Sequence, residues 1–345
     1  MEYKVTVIMP TYKRAKFLER AIYSVLNQSY NNIELIVVDD NDAESIYRQE
    51  NEKLMQKYKM YNNVKYIKHE KNKNGAVARN TGIKEATGEY ITFLDDDDFF
   101  LKNRIEKMVK ILNENSKYDC AYSSVVYLKN GHVILKKEAV KKGNLLLDIL
   151  SQNSFFGTGS NMFFRKKAIE KIGMFDETFI RHQDMEYMAR FFKYGEVINL
   201  DEILVVKCVD DTQNVPNFEK MKKTKEQFLT KFENDINMCT EKEKENIYFC
   251  NYFELLTFAK FNSKEYKEIK KKLLKLKHIP FKEKKKIYNY ELKNRITVLN
   301  QIADFKKKII NKEINNFEEE KVIKFLNQYE GDNKKWILEK KLKIF

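Results

Sequence analysis

Residues 4–113 alternate between short apolar segments and longer amphipathic segments. The apolar segments are rich in β-branched residues and predict buried strands at residues 4–9, 33–38, 64–68 and 90–94. The segments between and after them have apolar residues at helical spacing and predict helices at residues 17–28, 44–57, 74–86 and 103–113. Strands and helices in alternation predict a mostly parallel sheet that is flanked by helices, which is an α/β fold.

The pattern changes near residue 214. Before that point, further apolar segments predict strands at residues 118–127, 132–135, 161–164 and 202–209. After Gly195 the next glycine is Gly331, and a helical periodicity rich in Lys, Glu and Asn takes over. We therefore expect two regions, an α/β domain at residues 1–213 and a Lys-rich helical region at residues 214–345.

The charge of the chain is concentrated in that second region. The whole chain has a formal net charge of +14, of which residues 211–345 contribute +11. This excess predicts either contact with an anionic membrane surface or an ordinary solvated helical face, with self-association as a further alternative. The sequence has no signal-peptide pattern, no apolar run near the roughly 20 residues of a membrane span, and no metal-binding cysteine spacing. We expect a cytoplasmic protein, at the inner face of the cell membrane if the tail binds there.

Two acidic clusters follow predicted strands. Asp39 and Asp40 follow the second strand, and the four residues 95–98 are all aspartates after the fourth strand. In open α/β sheets, ligands bind beyond the carboxyl ends of the strands. A hard divalent cation offsets the repulsion of clustered carboxylates and binds oxygen ligands. Helix capping explains one or two of these acids but not four, so the sequence predicts a metal and phosphate site.

Several ordered motifs resemble those of the family 2 glycosyltransferases. They are PTYKR at residues 10–14, IVVDDND at 36–42, NGAVARNTGIKEATGEYITFLDDDD at 74–98 and GMFDE at 173–177. The resemblance covers roughly residues 4–210. It implies a GT-A fold and an inverting enzyme that uses a nucleotide-sugar donor, with a uridine diphosphate sugar as the expected donor.

The resemblance also implies roles for particular residues. Asp95 and Asp97 resemble the metal motif of the family, which implies Mn²⁺ or Mg²⁺ as cofactor. Within the donor site, Asp40 would accept the N3–H of uracil, and Arg79 suits ribose or phosphate. The residues expected to bind the donor nucleotide are Pro10, Thr11, Tyr12, Arg14, Asp40, Gly75, Arg79 and Asp96.

The segment IRHQDMEYMARF at residues 180–191 resembles the part of the family that supplies the general base. An inverting transfer needs a carboxylate that takes the proton of the acceptor hydroxyl. The resemblance assigns this role to Asp184, with Glu186 as the next candidate and helix capping as the alternative for Asp184. The family more often has Glu before this Asp, where this chain has Gln183. The expected acceptor side consists of His182, Gln183, Gly159 and Ser160, although a plain turn explains residues 154–161 equally well.

Three classes of function remain open from the sequence. The first is a glycosyltransferase that acts on a saccharide or lipid-linked acceptor, in the setting of bacterial surface polysaccharide synthesis. The second is a nucleotidyltransferase, for which a glycine-rich loop is expected after the first strand, whereas this chain has PTYKRAKF. The third is a non-catalytic protein that binds nucleotide sugars or anionic surfaces. No nucleic-acid-binding motif is present, so we expect no nucleic acid partner.

Overall fold

The computed structural model describes residues 2–209, 216–295 and 328. The strands are β1 Val5–Thr11, β2 Ile33–Asp39, β3 Val64–Lys68, β4 Tyr90–Phe93, β5 Phe99–Phe100, β6 Cys120–Lys129, β7 His132–Lys137, β8 Phe163–Arg165 and β9 Val197–Cys208. The first seven helices are α1 Ala15–Leu26, α2 Ile46–Met55, α3 Gly75–Glu85, α4 Arg104–Glu114, α5 Leu146–Leu150, α6 Lys166–Ile172 and α7 Gln183–Phe191. The tail forms α8 Phe218–Lys231, α9 Glu233–Asn237, α10 Glu241–Phe258, α11 Lys264–Lys275 and α12 Phe281–Arg295.

The strands form one mixed sheet. Its order is β3-β2-β1-β4-β8-β6-β9-β5, and β7 pairs with β6 outside this path. The first four strands in this order are parallel, as their alternation with helices predicts. Strand β8 enters antiparallel between β4 and β6, while β6 and β9 are parallel. The predicted α/β fold, with a sheet flanked by helices, is confirmed.

The strand order brings the segments that follow β1, β2 and β4 to one edge of the sheet. Strand β1 pairs on one side with β2 and on the other with β4, so the order of the strands reverses around it. Because the three strands are parallel, Thr11, Asp39 and the acidic residues after Phe93 emerge at the same edge. Such a reversal leaves a crevice between the loops, where ligands bind in folds of this type.

Helices cover both faces of the sheet. Helices α1 and α4 bury Leu18, Ile22 and Met108 against one face. Helix α3 lies on the other face, and it approaches β1 closely at Gly82. A Cβ added at Gly82 would lie 2.3 Å from Cγ2 of Ile8, so a larger residue there would push the helix off the sheet.

The first tail helices belong to the main core. Phe228, Phe232 and Ile247 lie in the same apolar cluster as Phe164 of β8 and Phe191 of α7. Helices α10, α11 and α12 also bury residues in a second cluster of their own, which includes Leu256, Tyr266 and Ile287. The predicted boundary at 213/214 lies outside the described residues, as do the residues after 295 apart from Gln328. Within the described part of the chain, no helix combines the length and the hydropathy that crossing a bilayer requires.

The shared core predicts that the tail contributes to the stability of the sheet domain. Phe228→Ala removes a fully buried ring and should lower the free energy of unfolding by about 3–5 kcal/mol. Phe281→Ala is the matched control in the same tail, because its ring is 78% exposed, and it should change stability by less than about 0.5 kcal/mol. Urea unfolding followed by circular dichroism measures both. Equal effects of the two variants would contradict a common core.

A second prediction concerns an ion pair between the tail and the loop before α7. Burial raises the pKa of Asp176, but hydrogen bonds from Lys231 of α8 and from Thr178 outweigh it and lower the pKa to about 2. The folded state therefore binds this proton more weakly than the unfolded state. This contribution to stability is present above about pH 4 and is lost as the pH falls towards 2.

Asp176→Asn should consequently be less stable than the wild type at pH 7, and the difference should shrink between about pH 4 and pH 2. Urea unfolding at several pH values measures it. Glu114→Gln is the control, because that carboxylate is 61% exposed. A difference between wild type and Asp176→Asn that stays constant down to pH 2 would refute the role of this carboxylate.

Candidate active site

The four aspartates form a turn that is anchored from inside the protein. The backbone N–H of Asp95 donates to Oγ of Ser160 at 3.0 Å, and the same hydroxyl donates to Oδ2 of Asp98 at 2.7 Å. Thr158 donates to Oδ2 of Asp98 at 3.0 Å, and the N–H of Cys208 donates to its Oδ1 at 3.1 Å. Asp98 is 1% exposed, and burial raises its pKa. The carboxylate of Asp98 therefore joins the turn to β9 and to the loop before β8.

The turn has the donor set that a hard cation requires. Asp95, Asp97 and Asp98 each offer one carboxylate oxygen, and these oxygens lie within 4.8 Å of one another. Carboxylate oxygens are the preferred ligands of Mg²⁺ and Mn²⁺, so the residues fit a divalent cation. Asp96 lies beside them but is 5% exposed, and burial raises its pKa to about 7.

Two arginines that the sequence predicted for the donor contact these acids. Nη2 of Arg79 lies 2.6 Å from Oδ1 of Asp95, and Arg14 forms an ion pair with Asp97. Burial alone would raise the pKa of Asp95, but the charges of Arg79 and Lys207 lower it. The negative charge of the turn is therefore partly balanced by cations of the protein itself.

The predicted nucleotide-binding residues of β1 line the crevice next to the turn. Pro10 and Thr11 pair in register with Val38 and Asp39 of β2. The N–H of the following residue, Tyr12, donates to Oδ2 of Asp96 at 3.3 Å, and the Tyr12 side chain is 38% exposed. The structure thus brings Pro10, Thr11, Tyr12 and Arg14 together at the sheet edge with Asp96.

Asp40 lies deeper than its predicted role requires. Its Oδ1 accepts from Nδ1 of His69 at 2.7 Å and from the N–H of Lys73 at 2.9 Å. Its Oδ2 accepts from Nδ2 of Asn72 at 2.7 Å and from the N–H of Asn74 at 3.0 Å. The side chain orders the loop that leads into Gly75 and α3. A uracil N3–H would have to displace one of these four donors, and the contact with uracil stays a prediction.

Asp184 lies in the first turn of α7, next to the loop before β8. A Cβ added at Gly159 would be 3.7 Å from Cβ of Asp184, an ordinary contact distance, so this glycine lies directly beside the predicted base. Nη1 of Arg79 donates to Oε1 of Gln183 at 2.9 Å, while its Nη2 binds Asp95. One guanidinium therefore connects the acidic turn with the helix that carries Asp184.

The neighbours of Asp184 have other partners. His182 has a φ of 55°, and its Nε2 lies 3.9 Å from Glu254 of α10. Burial and the charge of Lys225 lower the pKa of His182, which keeps the ring neutral. The carboxylate of Glu186, the second candidate base, is fully buried and binds Arg190 at 2.5 Å and Lys231 at 2.6 Å. Glu186 is thus engaged and fully buried, whereas Asp184 is partly exposed, which favours Asp184 as the carboxylate available to a substrate.

Sequence reasoning missed several residues of this site. It assigned Ser160 to the acceptor side, whereas the hydroxyl is fully buried behind the acidic turn; its acceptor contact stays a prediction. It also missed Asp98 as a potential ligand and Lys207 of β9. Lys207 follows four buried apolar residues, 203–206, within the same strand. A charged residue at the end of an apolar run is the sequence feature that could have indicated its role.

Comparisons with known proteins agree with this geometry. Residues 6–173 match the model of Glycosyl transferase family 2. Over these residues, just under half of the chain, the protein is similar to the family 2 glycosyltransferases. The match favours sugar transfer over the nucleotidyltransferase alternative.

Curated relatives and a solved structure extend the comparison. An uncharacterised glycosyltransferase of Rickettsia bellii is 42% identical over 113 residues, which cover 33% of this chain and 16% of the relative. The chain thus spans less than a fifth of the length of that relative. The GalNAc(5)-diNAcBac-PP-undecaprenol beta-1,3-glucosyltransferase of Campylobacter jejuni is 25% identical, covering 79% of this chain and 87% of the relative.

The crystal structure of residues 1–349 of S. aureus TarS in complex with UDP-GlcNAc has a TM-score of 0.61 with this chain. The sequence identity is 15%, and the alignment covers 81% of this chain and 82% of the TarS chain in that structure. At this identity the likeness concerns the fold, and it agrees with the predicted GT-A architecture.

The hydroxyl of Ser160 should be needed for the geometry of the acidic turn. Ser160→Ala leaves the N–H of Asp95 without its partner and removes one donor from Asp98, at a cost of about 1–3 kcal/mol in stability. It should also weaken binding of Mn²⁺, as measured by isothermal titration calorimetry. Ser116→Ala, at an exposed position, is the control and should change neither quantity. Unchanged Mn²⁺ affinity in Ser160→Ala would show that the hydroxyl does not organise the ligands.

Proposed function

We propose that this domain transfers a sugar, with inversion, from a uridine diphosphate sugar to a hydroxyl group of a saccharide or lipid-linked acceptor. The observation that carries the proposal is the bridge formed by Arg79. Its guanidinium binds Asp95 of the acidic turn and Gln183, the neighbour of Asp184. An inverting transfer requires a diphosphate-binding turn close to a carboxylate base, and the bridge by Arg79 supports that arrangement here.

The proposed step uses Asp184 as the general base. Its carboxylate takes the proton of the acceptor hydroxyl while the oxygen forms a bond to the anomeric carbon. The bond between that carbon and the phosphate oxygen breaks on the opposite face, and its electron pair leaves with the nucleoside diphosphate. A divalent cation held by Asp95 and Asp97 would offset the charge of the leaving diphosphate. Arg14 and Arg79 lie beside these acids and can bind diphosphate oxygens.

The choice of donor and acceptor is an inference from relatives. The TarS structure is a complex with UDP-GlcNAc, and the position of residues 10–14 at the sheet edge supports a nucleotide in this chain. The Campylobacter relative is named for an undecaprenol-linked acceptor. We therefore extend the proposal to lipid-linked acceptors, in surface polysaccharide assembly, which the basic tail would meet at an anionic membrane surface.

The test is a release assay with Mn²⁺ or Mg²⁺ and a panel of uridine and guanosine diphosphate sugars. Wild type should release the free nucleoside diphosphate from uridine donors, and chelation of the metal should stop the release. Asp184→Asn should lower turnover by a factor of about 100 or more, because the base is lost. Asp97→Asn should raise the metal concentration needed for turnover.

Glu85→Gln serves as the control, because this carboxylate is 44% exposed, ends α3 and pairs with Lys65 of β3. Turnover that persists in Asp184→Asn would remove Asp184 from the base role. Adding lipid-linked saccharides in anionic or neutral vesicles extends the assay to the acceptor. Stimulation by soluble saccharides alone, with no binding to anionic vesicles in sedimentation, would reject the membrane part of the proposal.

A further inference from the structure

Lys207 lies at the end of β9, where the strand meets the acidic turn. The next residue, Cys208, donates its N–H to Oδ1 of Asp98 at 3.1 Å, which fixes the position of the strand end. Nζ of Lys207 lies 3.5 Å from Oγ1 of Thr158, the hydroxyl that also donates to Asp98. The ammonium group is therefore held against the acidic turn by a strand of the sheet.

The surroundings of Lys207 keep it charged. Burial would lower its pKa, but the carboxylates of Asp98, Asp95 and Asp184 outweigh burial and raise the pKa. Two of these carboxylates belong to the acidic turn and the third is the predicted base, so the charge of the ammonium acts on both. A rigid strand, unlike a loop, holds the group in place when a ligand arrives.

Lys207 differs from the two arginines of the site because, within the part of the chain that the structure describes, no carboxylate lies within 4.0 Å of its ammonium. Arg79 binds Asp95 and Arg14 binds Asp97, within 4.0 Å in both cases. Among the described residues, the contact recorded for Nζ of Lys207 is the neutral hydroxyl of Thr158. A largely buried ammonium without a carboxylate in contact is costly, and an anionic ligand group would remove that cost.

We propose that Lys207 binds the diphosphate of the donor and of the nucleoside diphosphate product. This inference rests on the proposed function and adds a residue to it that no motif predicts. The ammonium supplies a positive charge from β9, whereas the two arginines come from α3 and from the loop after β1. It is a compact point charge that suits a phosphate oxygen.

The proposal makes a distinctive electrostatic prediction, because Lys207 has opposite effects on the two ligands. Its positive charge attracts a diphosphate but repels a divalent cation that binds to the acidic turn alone. Removing the charge should therefore weaken binding of the nucleoside diphosphate and should leave Mn²⁺ affinity unchanged or make it stronger. A residue that merely supports the turn would weaken both ligands together when it is changed.

Isothermal titration calorimetry on the full chain tests this with Mn²⁺ alone, and with UDP, UMP, GDP and GMP in the presence of Mn²⁺. Lys207→Met should weaken binding of the preferred nucleoside diphosphate by about 10-fold to 100-fold, the effect of one lost hydrogen bond to a charged group. Affinity for the monophosphate should change by less than about threefold. Lys207→Arg keeps the charge and should retain most of the diphosphate affinity.

Lys65→Met is the matched control, because Lys65 is also a strand lysine but lies on β3, 49% exposed and paired with Glu85. Thermal unfolding of each variant is measured first, and Lys207→Gln replaces Lys207→Met if that variant does not fold. Equal diphosphate affinity in wild type and Lys207→Met overturns the proposal, and so does a parallel loss of Mn²⁺ and diphosphate. Absence of any nucleoside diphosphate binding in wild type would instead refute the proposed function itself.

Discussion

The repulsion between four consecutive carboxylates at the sheet edge is the constraint on which the site depends. The protein offsets this repulsion by burial at two of the aspartates and by ion pairs at the other two. Asp98 is buried among hydrogen-bond donors, and its pKa is raised. Asp96 is buried, and its pKa is raised to about 7. Asp95 and Asp97, which the sequence assigns to the metal, are paired with arginines instead. The two acids that a cation needs ionised are thus the two that the protein itself holds in ion pairs.

The loop before β8 contacts both the acidic turn and the predicted base. Thr158 and Ser160 of this loop donate to Asp98, and Gly159 between them lies directly beside Asp184. Beneath the loop, the fully buried Arg104 donates to the carbonyl of Ser160 at 3.3 Å and packs over Phe100 at 4.5 Å. Burial lowers the pKa of Arg104 to about 9. Among the residues that the structure describes, no carboxylate pairs with Arg104, so its burial costs stability while its hydrogen bonds fix the loop.

Local pattern determined what could be predicted from the sequence. The strand at 64–68 has the predicted bounds, and α3 begins at Gly75, one residue after the prediction, because Asn74 caps it by accepting from the N–H of Ala76. The acidic turn was found because its residues are adjacent in sequence. Lys207 and Ser160 reach the same turn through pairings of β9 and β8 across the sheet. Contacts between segments that are distant in sequence leave no periodic pattern in either segment. They can be identified only once the pairing register of the strands is known.

The contacts of the tail with the sheet domain also could not be predicted from local sequence pattern. Its composition predicted a helical appendage, but Lys225 of α8 is buried and binds both Gln152 and Glu254, each at 2.5 Å. Glu254 in turn lies 3.9 Å from His182, two residues before Asp184. Helices α8 and α10 therefore pack against the segment that carries the predicted base. The lysine-rich segment at residues 270–286 lies in α11, in α12 and in the turn between them. Deleting the whole tail would remove the lysine-rich segment together with α8 and α10, whose core is shared with the sheet. Neutralising the lysines of α11 and α12 separates a role in surface binding from a role in supporting the active site.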